Sequence, residues 1–142
     1  MTTTLYQDIR GALQQRAASA TGYPPVGQRA YEGGPLFSST NGTPYARTTL
    51  MPTSGRPFEV SGGTKQHAGL FQVDVCVPSN QGTATAEIAA DNVKAMFEPG
   101  DVLLKNGEHI VIDYAERGKA MVSPDWIFCP VTVRWRCFST RN

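Results

Sequence analysis

From Tyr45 onward the chain alternates apolar and polar residues over several stretches, the period of strands with two distinguishable faces. In GLFQVDVCVP, residues 69–78, Phe71, Val73, Val75 and Val77 fall on one side and are predicted to be core. Leu70, Gln72, Asp74 and Cys76 fall on the other, a mixed face that is neither clean solvent nor clean core. Tyr45–Met51 reads as an earlier strand closed by Pro52, and residues 53–68 as a long hairpin connection with room for a short strand at Phe58–Ser61.

The C-terminal part continues the alternation at Val102–Leu104, His109–Tyr114, Ala120–Ser123 and Trp126–Phe138. Asn106-Gly107 is a strong signal for a tight hairpin turn, and Glu116–Lys119 a plausible second turn.

Two stretches carry helical spacing instead. Leu5, Ile9, Ala12, Leu13, Ala17 and Ala20 form a narrow, alanine-rich stripe; Thr4 and Gln7 have the form of a capping box, and Gly22 and Pro24 stop the helix. Ile88, Ala89, Val93 and Met96, with Phe97 at the edge, mark a second helix, capped by Thr83 or Thr85 and closed by Pro99-Gly100. Between the first helix and the first strand, residues 22–44 show no sustained period and read as a long arm with Tyr23, Tyr31, Leu36 and Phe37 as apolar anchors. The expected fold is a single α+β domain over residues 1–142, a mostly antiparallel sheet with two helices packed on one face, and extended loops at 22–44 and 53–68.

Composition narrows the function. A chain of 142 residues with 40% hydrophobic and 18% charged content can bury a core without metal or disulfide. The balance of 13 basic against 12 acidic residues gives a net charge of +1, too small a field for strong non-specific binding to nucleic acid or to an anionic membrane. No apolar run reaches a membrane span and MTTTLYQDIR has no signal-peptide pattern, so the chain reads as made and kept in a cytoplasm, with no membrane partner. Cys76, Cys129 and Cys137 are odd in number, widely spaced and without a ligand-like His nearby, and read as reduced, with Cys129 and Cys137 as small apolar fillers on the face of Val131, Val133 and Trp135.

The catalytic inventory is thin, and the reading is of a non-enzyme with no cofactor. His67 and His109 lie near no activating motif and read as exposed loop histidines. SGGTK at residues 61–65 fails as a phosphate loop because Thr64 separates the glycines from Lys65 and a strand follows. Asp91, Asp101, Asp113 and Asp125 are scattered and form no hard-cation pattern. Val133-Arg134-Trp135-Arg136 interleaves basic and aromatic residues, but alternation sends Trp135 to the core and leaves Arg134 and Arg136 as a basic strip, open to a subunit contact, to solvent or to phosphate.

The order of these features carries more than any one of them. PYARTTLMP, a Gly-rich connection, GLFQVDVCVPSNQG, IAADNVKAMFEPG and DWIFCPVTVRWR together resemble the tail terminator family of long-tailed bacteriophages. That family's pattern is an RxxLxP strand, a GxFQVDV strand, a helix ending in FxPG and a closing VxVxWR strand; the resemblance runs over residues 45–137 with the first helix ahead of it.

The resemblance implies a virion protein, assembled in the host cytoplasm, whose subunits close into a hexameric ring on the head-proximal end of the tail tube. Such a ring stops tube polymerisation and joins the tail to the head. Implied partners are further copies of the chain, the tail tube protein and a head completion or neck protein, with the tape measure protein or DNA in the channel as further candidates. A ring subunit needs two unlike complementary patches. Candidate contacts are Tyr31 and Phe37 on the arm, Arg47, Asp74, Arg134 and Arg136 on the strands, and Arg56, Lys65 and His67 on the long connection. Arg47, Asp74 and one of the last-strand arginines are expected to pair across strands or across subunits. Readings that compete with this one are another ring-forming neck or tail-tube protein and, from a different class, a nucleic-acid module using Arg134, Trp135 and Arg136. The weakest is a small hydrolase around His67 or Cys76.

Overall fold

The computed structural model describes residues 3–25, 28–31, 43–53, 56–57 and 64–141, with 56–57 described for the backbone only. The elements run α1 (Leu5–Ala18), β1 (Arg29–Tyr31), β2 (Tyr45–Pro52), β3 (Arg56–Pro57), β4 (Lys65–Pro78), α2 (Thr83–Lys94), β5 (Val102–Lys105), β6 (Glu108–Arg117), β7 (Met121–Val122) and β8 (Trp126–Ser139). They form the expected α+β fold. One mixed sheet has the path β1-β2-β4-β8-β6-β5, with β3 on β4 and β7 on β8 as short branches. All pairs are antiparallel except β1 with β2.

The two 14-residue strands β4 and β8 pair along their whole length, from Lys65↔Ser139 to Pro78↔Trp126, and make the spine of the sheet. Their inward residues, Phe71, Val73, Val75 and Val77 on one and Cys129, Val131, Val133, Trp135 and Cys137 on the other, are buried together as the alternation predicts. Both helices lie on this inner face. Leu5, Ile9, Leu13 and Ala17 of α1 are in the core, and Thr4 completes the capping box by accepting from Gln7 N–H while the Gln7 side chain accepts from Thr4 N–H. Asn106 (φ 49°) and Gly107 (φ 84°) turn β5 into β6 in the left-handed conformations that a two-residue hairpin requires.

Three expectations change. The helix α2 buries Ala86, Ala90, Val93 and, just past its end, Phe97, while Ile88 is 61% exposed. Small alanines let the helix settle closely on β4 and β8, and that register turns the larger Ile88 outward. Its N-cap is Gly82 with no side-chain cap; the Thr85 hydroxyl instead donates back to the Gln81 carbonyl. Part of the 22–44 arm is regular, since Arg29–Tyr31 runs parallel to β2, whereas residues 32–42, including Leu36 and Phe37, lie outside the described residues. Finally, Lys65–Ala68 belong to β4 rather than to a loop, and the short strand of the connection is Arg56–Pro57; residues 58–61 lie outside the described residues.

Candidate functional site

The sheet has a second, outer face that neither α1 nor α2 covers among the described residues. Register and alternation place on it Tyr45, Arg47, Thr49 and Met51 from β2, Leu70, Gln72, Asp74 and Cys76 from β4, and Phe128, Pro130, Thr132, Arg134, Arg136 and Phe138 from β8. Near Asp74 this face is closed. Arg47 stands directly across from Asp74, and its Nε and Nη2 donate to the Asp74 Oδ2 at 3.1 and 2.9 Å. Gln72 Nε2 donates to the other carboxylate oxygen at 2.9 Å. The guanidinium also lies 5.8 Å from the Phe128 ring centroid, and Tyr45 meets Trp126 edge-on at 5.0 Å. Under this lid Asp74 is 4% exposed and Cys76 1%.

Asp74 is therefore satisfied within its own subunit, and the last-strand arginines are not its partners. The residue facing it on β8 is Pro130, with Arg134 four positions further along, roughly 13 Å at strand rise. Arg134 Nε donates to the Tyr114 hydroxyl at 3.0 Å, and its guanidinium lies over that ring. Arg136 forms an ion pair with Asp113 at 2.9 Å, next to the register shift in β6. Around these two arginines the face is open and apolar: Met51, Val102, Leu104, Tyr114 and Phe138 are each at least 37% exposed. Leu70, Tyr114, Glu116, Thr132 and Arg134 line a shallow depression of about 170 Å³. Arginine and aromatic residues set among aliphatic ones, with few uncompensated charges, are the composition of a protein contact.

The remaining predicted contacts scatter. Tyr31 is exposed on β1 at one end of the sheet path. Lys65 begins β4 opposite Ser139. Arg56 pairs through its backbone with Gln66; its side chain, like the whole of Phe37, lies outside the described residues. His67 is not an exposed loop residue: it is 4% exposed on the inner side of β4. The Arg141 carbonyl lies 3.1 Å from its Nε2 and the Tyr6 hydroxyl 3.0 Å from its Nδ1. A carbonyl can only accept, so Nε2 carries a hydrogen and donates to Arg141, and both ring nitrogens are engaged by the chain's own groups.

Beside His67 is a charged cluster that spacing along the chain does not reveal. Arg141 Nη2 donates to the buried Asp8 at 2.6 Å and Arg141 Nε to Glu108 at 2.7 Å; Asn106 and Thr3 donate to Asp8 at 2.7 and 2.6 Å. The hydrogen bond from Thr3, reinforced by those from Arg141 and Asn106, holds the Asp8 carboxyl down at about 2. One guanidinium thus ties the start of α1 and the β5–β6 hairpin to the C-terminal residues.

The three cysteines are buried, and burial pushes each thiol up, Cys137 to about 11, so none is poised as a thiolate. Among the described residues no group of three or more His, Cys, Asp or Glu side chains is placed to hold a metal ion, and no helix is long and apolar enough to cross a membrane.

A family described as "Phage tail terminator protein" matches residues 8–135. One solved structure, which carries no functional description, superposes with a TM-score of 0.73 at 22% identity, covering 95% of this chain and 96% of its own. A chain from a structure described as "Virion of native gene transfer agent (GTA) particle" superposes with a TM-score of 0.66 at 17% identity, covering 97% of this chain and 100% of its own. At these identities the two likenesses establish the fold. No curated protein matches the sequence.

Proposed function

The chain belongs to the phage tail terminator family, a family of virion structural proteins, and from that premise we propose that it caps the head-proximal end of a tail tube as a hexameric ring. In that position it halts addition of tube subunits and presents the surface to which the head completion or neck protein binds. The observation that carries this reading is the family match over residues 8–135. RTTLMP and GLFQVDV build the paired strands β2 and β4, FEPG follows α2, and VTVRWR lies in β8. The open outer face with Arg134, Tyr114 and Phe138 supplies a contact surface. The likeness to a virion chain is in keeping with the same reading.

Tube-length measurement tests it. Tail tube protein is polymerised with and without this protein, and lengths and end decoration are scored by negative-stain electron microscopy. The expected result is shorter tubes with a density at one end. Binding along the tube wall would indicate a tube or neck component, and unchanged tubes would reject the cap. A steep loss of duplex DNA binding with salt, abolished by replacing Arg134 and Arg136, would point to the nucleic-acid reading instead.

A further inference from the structure

The β5 strand is the last in the sheet path, and its hydrogen-bonding register fixes which of its backbone groups face outward. A two-residue turn at Asn106-Gly107 makes Lys105↔Glu108 a doubly hydrogen-bonded pair, so Leu104↔His109 is non-bonded, Leu103↔Ile110 bonded and Val102↔Val111 non-bonded. The bond from Ile112 N–H to the Asp101 carbonyl, 2.8 Å, continues the same alternation. The N–H and C=O of Val102 and Leu104 therefore point away from β6, and none has a partner among the described residues.

These two residues also carry exposed side chains, Val102 at 46% and Leu104 at 68%. An apolar edge strand with outward-pointing amides is a template for another strand; its shortness and Lys105 blunt it here. Beyond the edge lies a cleft of about 270 Å³ between β5 and α1, lined by Ala12, Gln15, Arg16, Ser19, Leu103 and Leu104.

We infer that β5 is a strand-addition site for a second copy of this chain, so that the sheet of one subunit continues into that of the next. The other end of the sheet path is β1, which pairs only with β2 among the described residues. Among the described residues one sheet thus ends in two unlike edge strands, the complementarity that a head-to-tail contact needs to close into a ring. Main-chain bonds at Val102 and Leu104 give the joint its register, and their side chains leave water as the neighbour arrives. This inference rests on the ring proposed above.

Leu104→Pro tests it with little effect on the fold, because the N–H it removes is one that β6 does not use and the strand is at an edge. Assembly is measured by light scattering over a concentration series, on the wild type, Leu104→Pro and Leu104→Lys, with far-UV circular dichroism as the check on folding. Wild type is expected to form a discrete ring. Both variants should remain folded and need a concentration higher by about ten-fold or more to assemble.

Amide hydrogen exchange gives a readout free of mutation. The Leu104 amide should exchange quickly in dilute protein and slow down on assembly, while the Leu103 amide, bonded to Ile110, stays slow in both. Rings that form equally well with Leu104→Lys, or a Leu104 amide that exchanges at one rate in both states, overturn the edge assignment and leave the ring intact. A wild type that forms no ring at any concentration, alone or on tail tubes, overturns both.

Discussion

Replacing Gly69 with alanine isolates a packing requirement at the first residue of the GxFQVDV strand. A Cβ on Gly69 would lie 2.5 Å from the Met51 carbonyl oxygen, 2.8 Å from Pro52 Cα and 3.0 Å from Trp135 Cζ2. Two of the three obstacles are backbone and cannot rotate away. An ordinary carbon–oxygen contact is about 3.3 Å, so the end of β2 must retreat by roughly 0.8 Å. That retreat stretches the adjoining bond from Thr53 N–H to the Ala68 carbonyl, now 2.8 Å, to the limit of hydrogen bonding. Overpacking of this kind costs about 1–3 kcal/mol and a lost backbone bond about 1 kcal/mol more; the lower entropy of the unfolded alanine chain returns about 0.4–1 kcal/mol. The net expectation is a loss of about 2–3 kcal/mol, or a fall in Tm of about 6–10 °C for a domain of this size. Thermal and urea melts followed by circular dichroism measure it. A Tm within about 2 °C of wild type would show that β2 does not press on β4 at this point, and the reasoning would fail.

Gly11→Ala should act in the opposite direction, because Gly11 is interior to α1 and its added Cβ meets only the Lys105 side chain at an ordinary 3.5 Å; a gain of about 0.5–1 kcal/mol in the same melts is expected, and a loss would contradict it. Asp8, held at about 2 against an ordinary 3.8, contributes stability that is complete above roughly pH 4 and disappears as pH falls through 2. The Tm gap between wild type and Asp8→Asn should accordingly narrow across that window, and parallel curves would exclude the carboxylate as its source. Arg47→Met leaves the buried Asp74 with only Gln72; because the Arg47 side chain is 48% exposed, the cost is put at about 1–2 kcal/mol, below that of a fully buried pair, and adding Asp74→Asn should recover part of it. If Arg47→Met instead weakens assembly with no loss of stability, the pair belongs to an interface after all.

Much of this architecture is readable in the alternation itself, because a half-buried strand writes its two faces into parity. Phe71 to Val77 and Cys129 to Cys137 land as their pattern dictates, and Asn106-Gly107 turns where turn chemistry requires. Parity does not say which residue stands opposite, however. Arg47, Arg134 and Arg136 all share the face of Asp74, and only the β2–β4 and β4–β8 registers select Arg47 and reject the other two. In α2 the period fits two faces, and alanine carries too little hydrophobic signal for the close-packed one to outrank Ile88.

His67 is obscured by its Gly-rich flank, and its burial depends on Tyr6, 61 positions away, and on the Arg141 carbonyl, 74 away. The link between Asp8 and Arg141 spans 133 positions and belongs to tertiary structure alone. Conversely, the charge reversal Asp74→Arg, which the resemblance suggests as a probe of assembly, is expected to disturb folding, since the carboxylate it removes is buried against Arg47.

The central claim is a ring at one end of a tail tube, and the symmetry of that end is its most direct measure. Capped tubes should be imaged by cryo-electron microscopy and the terminal density averaged without imposed symmetry. A single closed layer of six copies of this chain is expected, at one end only. A tube end without added density, or copies distributed along the wall, would contradict it.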